Sequence, residues 1–277
     1  MDKPDSAANL LAHGAQAPKG IVDPTAAAQR IRLATFPPCA ALAPFVDYFW
    51  LVEWDMGERA PQLQRVLPYP NAHLVFDRGQ SAIHGVVKGV FERPVAGAGQ
   101  TLGVRFNPGG LRPWIATPLA RLTGRTMALD SVLRVDGATA EQRVLGQAGD
   151  SAKVAAASAL LLAVLPALDA RAALAAQVVQ MAALENGPVS VAALCAQAGI
   201  GERSLQRLFS DYVGVSPKWV IQRFRLQEAL WLLARHGEPD LSDLALRLGF
   251  FDQAHFTRDF TALVGQSPRE YWKAQRT

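Results

Sequence analysis

The sequence predicts an α+β chain with a β-rich, sandwich- or barrel-like N-terminal domain, a helical connector and an all-α C-terminal domain. Three observations carry that reading. Between Phe45 and Phe106, short apolar runs (FVDYFWLVEW, LQRVLPYP, AHLVFD, SAIHGVV, TLGVRF) alternate with turn residues. β-Branched and aromatic residues dominate these runs, with Gly or Pro between them, as in short packed strands. From about Ala138 onward the apolar spacing becomes helical. Within that helical part, a unit of two short helices occurs twice, about fifty residues apart.

Taken in order, residues 1–35 are rich in Ala, Pro and Gly and read as a flexible lead-in, with no apolar stretch of signal-peptide length. Residues 36–137 form the β-rich domain, whose character changes after Asn107-Pro-Gly-Gly. Gly97-Ala-Gly-Gln-Thr-Leu-Gly has the wrong spacing for a dinucleotide loop and reads as a turn. Residues 138–183 form the connector, with Val154, Leu161, Leu165 and Leu168 among its apolar positions. That surface could pack on both flanking domains or meet a second copy of the chain. The segment Val154–Leu168 contains Pro166 and falls short of the ~20 residues that span a bilayer, so it reads as a buried helix and no membrane partner is expected. Residues 184–277 form the C-terminal domain.

The chain has 277 residues, of which 50% are apolar and 19% charged, so it can bury a core and is not wholly disordered. Its net charge is +4 and its pI about 9.3. Residues 1–170 hold 16 basic and 14 acidic side chains and residues 171–277 hold 12 and 10, so neither part is a polycation. Bulk charge therefore does not argue for nucleic acid; placed charge has to. Two cysteines, Cys39 and Cys195, build neither a disulfide framework nor a four-thiolate zinc site, and a reduced cytoplasmic protein is expected.

In the first copy of the repeat, Val191, Leu194, Cys195 and Ala198 fall at i, i+3, i+4 and i+7 and precede Gly199. In the second, Leu241, Leu244, Ala245 and Leu248 keep that spacing before Gly249. Ser190 and Asp240 are suited to N-cap these helices, and the glycines to end them in a left-handed turn. A second helix follows in each copy. Its apolar stripe is Leu205, Leu208, Phe209 and Tyr212 in one, and Phe256, Phe260 and Leu263 in the other. Short helix, glycine turn, second helix is the helix-turn-helix plan. The faces away from the core carry Arg203, Gln206, Arg207 and Ser210, then Gln253, Ala254, Thr257, Arg258 and Thr261. Arg can grip guanine, Gln adenine, and Ala or a Thr methyl the thymine methyl, so these faces suit base edges in the major groove of double-stranded DNA. Two solvated amphipathic helices are the alternative, which the matched duplication disfavours.

Gly249-Phe-Phe-Asp-Gln-Ala-His-Phe-Thr-Arg-Asp-Phe followed by Gly265-Gln-Ser-Pro-Arg-Glu-Tyr closely resembles the C-terminal signature of AraC-type transcription regulators. Ser204-Leu-Gln-Arg-Leu-Phe with Gly214-Val-Ser-Pro resembles that family's first recognition helix, and Arg225-Leu-Gln-Glu-Ala-Leu its connecting helix. The resemblance runs from about Leu184 to Lys273. It implies two helix-turn-helix units joined by a helix over Pro217–Arg235, with both recognition helices in successive major-groove faces. It assigns base reading to Arg203, Gln206, Arg207, Gln253, Ala254 and Arg258, and phosphate contacts to Ser216, Lys218, Ser267 and Lys273. The chain departs from the family's pattern at Gly201, Phe251, Thr261-Ala262 and Trp272, which suggests fewer phosphate contacts.

Arg65-Val-Leu-Pro-Tyr-Pro-Asn-Ala-His-Leu-Val-Phe-Asp, with Gly103-Val-Arg-Phe-Asn-Pro-Gly-Gly, is similar to the N-terminal domain of one subset of these regulators, which implies sensing or dimerisation. His73, His84 and Arg105 stand out there as a candidate ligand pocket, or else as surface and core-edge residues. The five histidines (His13, His73, His84, His236, His255) form no H-x-x-x-H pair, so no metal is expected. Neither a phosphate-binding loop nor a nucleophile elbow is found, and no catalytic residue or cofactor is expected. The sequence thus predicts a non-enzymatic, sequence-specific DNA-binding transcription regulator. The expected partners are a small-molecule effector, a second copy of the chain and, for an activator, RNA polymerase. A DNA-tethered enzyme and a protein-interaction module are the alternatives.

Overall fold

The computed structural model describes residues 31–57, 60–66, 69–184, 186–235 and 239–275. Among them, strands come first: β1 (Ile31–Phe36), β2 (Val46–Asp55), β3 (Gln62–Val66), β4 (His73–Asp77), β5 (Ala82–His84), β6 (Phe91–Val95), β7 (Ala98–Phe106) and β8 (Thr126–Met127). Six form an antiparallel sheet in the order β1-β2-β7-β4-β5-β8, while β3 and β6 pair as a separate ribbon.

Two expectations need correcting. Residues 31–35, assigned to the lead-in, pair with β2 from Ile31↔Trp54 onward. As an edge strand, β1 buries its side chains only partly and so carries a weak apolar signal. The rest of the lead-in, with His13, lies outside the described residues, as does His236. Of Gly97-Ala-Gly-Gln-Thr-Leu-Gly, Gly97 makes a turn but the remainder is strand β7. Its glycines serve packing instead: a Cβ on Gly103 would stand 2.0 Å from the Trp50 ring.

Strand alternation sorts the sheet into two faces. Phe49, Val104, Leu74 and Ile83 are cross-strand neighbours on one face and are fully buried. The other face carries Trp50, Trp54 and the row Tyr48, Arg105, His73, His84. Over it folds the ribbon, whose Arg93 pairs with Asp77 at 2.8 Å, donates to Thr101 and lies 5.1 Å from the Trp54 ring.

The helices are α1 (Asp130–Leu133), α2 (Gly137–Leu145), α3 (Asp150–Leu162), α4 (Ala170–Ala183), α5 (Val191–Ala198), α6 (Glu202–Leu208), α7 (Pro217–Arg235), α8 (Leu241–Arg247), α9 (Gln253–Val264) and α10 (Pro268–Ala274). The stretch expected as a connector divides between two cores. Ala140, Val144 and Leu145 of α2 and Ala157, Leu160 and Leu161 of α3 close the apolar face of the sheet. Ala175, Val178 and Ala182 of α4 instead join Leu194, Leu205 and Phe209 in the core of the first helical unit. The buried helix expected over Val154–Leu168 instead ends at Leu162, ahead of Pro166, and Leu162, Leu165 and Leu168 are exposed, Leu168 by 74%.

Helix α7 serves both helical units. Val220, Ile221 and Phe224 pack with α5 and α6, while Leu226, Ala229 and Leu233 pack with α8 and α9. Its 19 residues span roughly 28 Å at 1.5 Å per residue. The segment after β5 touches both units, with Val86 in the core of the first and Val90 against that of the second.

Candidate nucleic-acid interface

Each unit is built by its local sequence. Ser190 Oγ accepts the N–H of Ala193 at 3.1 Å, and Asp240 Oδ1 accepts those of Ser242 and Asp243, which caps α5 and α8. Gly199 (φ 66°) and Gly249 (φ 78°) make the turns in the left-handed region that a side chain would strain. The second helix then buries its stripe: Leu205, Leu208, Phe209 and Tyr212 in one unit, Phe256, Phe260 and Leu263 in the other. A π-helical turn, Phe209–Val213, continues α6.

That burial leaves the polar faces outward. Arg203, Gln206, Arg207 and Ser210 are exposed on the first second-helix, as are Gln253, Ala254 and Arg258 on α9; Thr257 is half-buried. Both glutamines are held by neighbours. Gln206 Nε2 donates to Glu202 Oε1 at 3.0 Å, and Ser242 Oγ donates to Gln253 Oε1 at 2.8 Å. Of the residues expected at phosphates, Lys218 and Lys273 are exposed. Ser216 Oγ accepts the N–H of Trp219 at 3.2 Å at the start of α7. Ser267 forms a capping box with Glu270, donating to its carboxylate at 2.7 Å. A carboxylate therefore sits beside Ser267, and bonds from the Ser267 backbone and side chain hold it below the usual range.

The N-terminal trio is brought together. His73 is in register with His84 on β5 and with Arg105 on β7, so the three share one face of the sheet. The Trp50 indole donates to His73 Nδ1 at 3.2 Å. Burial, then the charges of Arg105 and His84, push the His73 imidazole down to about 3, and burial also lowers His84. Both rings are thus neutral near pH 7. Arg105 is committed to protein partners, donating to Tyr48 and Asn71 at 2.8 and 2.9 Å and stacking 4.6 Å from the Tyr69 ring centre. It also borders a cleft of about 950 Å³ between the sheet and helices α4 and α7, whose far wall includes Phe224 and Trp231. His73 and His84 do not line that cleft.

Sequence reasoning missed the residues that couple the parts. Asp211, in the π-turn, accepts from Arg112 at 2.8 Å, and Thr123 donates to the Gly214 carbonyl at 2.6 Å. Tyr212 donates to Asp169 at the start of α4. Arg225, only 3% exposed, donates to the carbonyls of Ala182 and Leu184 at the end of α4 and pairs with Glu228. The sequence signal for Arg225 is its place between the apolar Phe224 and Leu226 of α7, where a charge that becomes buried needs partners.

Residues 194–274 match a helix-turn-helix domain family, and residues 34–128 match a domain of unknown function (DUF6597). The chain is similar to the HTH-type transcriptional activator RhaR of Yersinia pseudotuberculosis, 38% identical over 81 residues that make up 29% of this chain and 28% of that protein. RhaR of Cronobacter sakazakii is 35% identical over 98 residues, 34% of each chain. The chain thus spans about a third or less of the length of these curated relatives. Among solved structures, a transcriptional regulator of Chromobacterium violaceum with an AraC-type DNA-binding domain aligns at 27% identity and a TM-score of 0.31, over 35% of this chain and 85% of that one. ToxT of Vibrio cholerae aligns at 11% identity and a TM-score of 0.37, over 88% and 98%. The C-terminal part of the chain is thus a helix-turn-helix domain, built from the two units described above.

Proposed function

We infer that this chain is a sequence-specific DNA-binding transcription regulator whose helix-turn-helix domain is of the AraC type. One observation carries the inference: two matched units, joined by α7, bury their apolar stripes and leave Arg203, Gln206, Arg207, Gln253, Ala254 and Arg258 at the surface. These residue types are suited to base edges in the major groove, which recurs every 34–36 Å along the duplex. Lys218 and Lys273, with the N–H groups at helix starts, would meet phosphates. The protein would act in the cytoplasm, without catalysis. No helix among the described residues is long and apolar enough to cross a membrane.

The sheet domain would adjust that binding. The cleft that Arg105 borders between the sheet and helices α4 and α7 suits a small-molecule effector, and the exposed Leu162, Leu165 and Leu168 suit a second copy of the chain. Effector control would require different affinities for two arrangements of the sheet and helical units. An activator would also meet RNA polymerase. The test is an electrophoretic shift with fragments from the chain's own genomic neighbourhood. A shift that survives excess unrelated DNA is expected; no shift at low salt would end the reading.

A further inference from the structure

The two units are not identical at the turn. The first runs Gly199-Ile200-Gly201 before α6, whereas the second runs Gly249-Phe250-Phe251-Asp252 before α9, one residue longer. Ile200 and Phe250 correspond, each following the left-handed glycine and packing on its unit's core. Gly201 and Asp252 correspond as N-cap residues. The added residue is Phe251, and its side chain is 87% exposed.

The backbone on either side of Phe251 is fixed. Phe250 is buried with its ring 5.2 Å from that of Phe256, and its N–H bonds the Ala245 carbonyl at 2.9 Å. Asp252 Oδ1 accepts the N–H of His255 at 2.6 Å. Phe251 therefore stands outside the core just before the N-cap of the recognition helix, two positions ahead of Gln253. The apolar group that a major groove offers there is the 5-methyl of thymine, which phenylalanine can contact.

We propose that Phe251 is a specificity-determining residue that seats its ring on the 5-methyl group of a thymine at the edge of the site read by α9. The assignment rests on the DNA-binding reading above. A large ring in that place favours thymine over cytosine, which lacks the methyl. It also makes the second unit more selective than the first, where Gly201 precedes the helix.

The test selects bound duplexes from a random pool with the full wild-type chain, with Phe251→Ser and with Arg258→Ala. The wild type is expected to enrich a thymine beside the position that Arg258→Ala relaxes, and Phe251→Ser to lose that thymine alone. Replacing that thymine by uracil, which removes only the methyl, should weaken wild-type binding about fourfold, the worth of one buried methyl group. The same replacement should leave Phe251→Ser unchanged. Identical selected sites for wild type and Phe251→Ser, or binding indifferent to uracil, overturn the proposal. So does a Phe251→Ser chain that binds DNA like wild type but no longer supports transcription by purified RNA polymerase, which would place the ring against protein. If Arg258→Ala alters the selected site and Phe251→Ser does not, the DNA reading stands and the Phe251 assignment falls. If the wild type enriches no sequence, both fall.

Discussion

The guanidinium of Arg112, which follows strand β7, hydrogen-bonds the carboxylate of Asp211 in the first helix-turn-helix unit at 2.8 Å. Arg171 lies 3.7 Å from the same carboxylate, and Thr123 bonds the Gly214 carbonyl close by. The first unit is thus clasped to the sheet domain through its π-turn. Both side chains of the Arg112–Asp211 pair are about one-fifth exposed, so water screens the bond only partly. Replacing Asp211 by Ala should cost about 1–3 kcal/mol in denaturant unfolding, as for charged hydrogen bonds. The Arg112→Ala, Asp211→Ala double variant should lose less than the sum of the two single variants. Strict additivity would show that the pair is not coupled.

Arg207 and Arg258 hold equivalent outward positions on the two recognition helices. Either one changed to Ala should cost ~1–3 kcal/mol of DNA binding and relax preference at one base pair, while leaving the others intact. Affinity measured on a panel of single-base operator variants checks this. An equal loss on every sequence would mark them as phosphate contacts.

Phe209 and Phe260 are fully buried, one in each unit's core. Truncation to Ala should cost ~3–5 kcal/mol of stability through lost burial and the cavity left behind. Phe260 touches Phe256 and Tyr271 edge-on, which adds to the loss in the second unit. Calorimetry on the full chain reads both variants, and wild-type melting in either would mean that the helix faces are inverted.

His73 makes stability depend on pH. Its imidazole titrates near 3 when folded and near the ordinary 6.5 when unfolded. Between those values the unfolded chain binds the extra proton, so stability rises with pH there. The contribution is fully present above about pH 6.5 and is lost as the pH falls, by about 2 kcal/mol at pH 5. His73→Gln should flatten the stability profile between pH 7 and pH 5. A wild-type profile already flat there would show that the imidazole is free to charge.

The duplicated unit was legible because each copy carries its own instructions within some thirty residues. Ser190 and Asp240 cap, Gly199 and Gly249 turn, and the 3.6-residue period separates Leu205 and Phe256 from Arg207 and Arg258. Strand β1 was not legible, since Ile31–Phe36 is half-covered at the sheet edge and its pairing with β2 depends on residues far along the chain. Nor was β6, whose Glu92, Arg93 and Pro94 carry no apolar alternation and which pairs only with β3.

The sequence by itself determined the classes of structure and the chemistry of the outward helix faces, because local periodicity and capping act over a few residues. Tertiary structure alone decided which long-range partners meet. It set His73 beside His84 and Arg105 through strand register, and brought Arg112 to Asp211 across 99 positions. It also sent α3 to the sheet and α4 to the helical unit, although both read as the same Ala/Leu-rich connector. The hydrophobic effect rewards burial without naming a partner, so the choice between two apolar surfaces is fixed only when the whole chain packs.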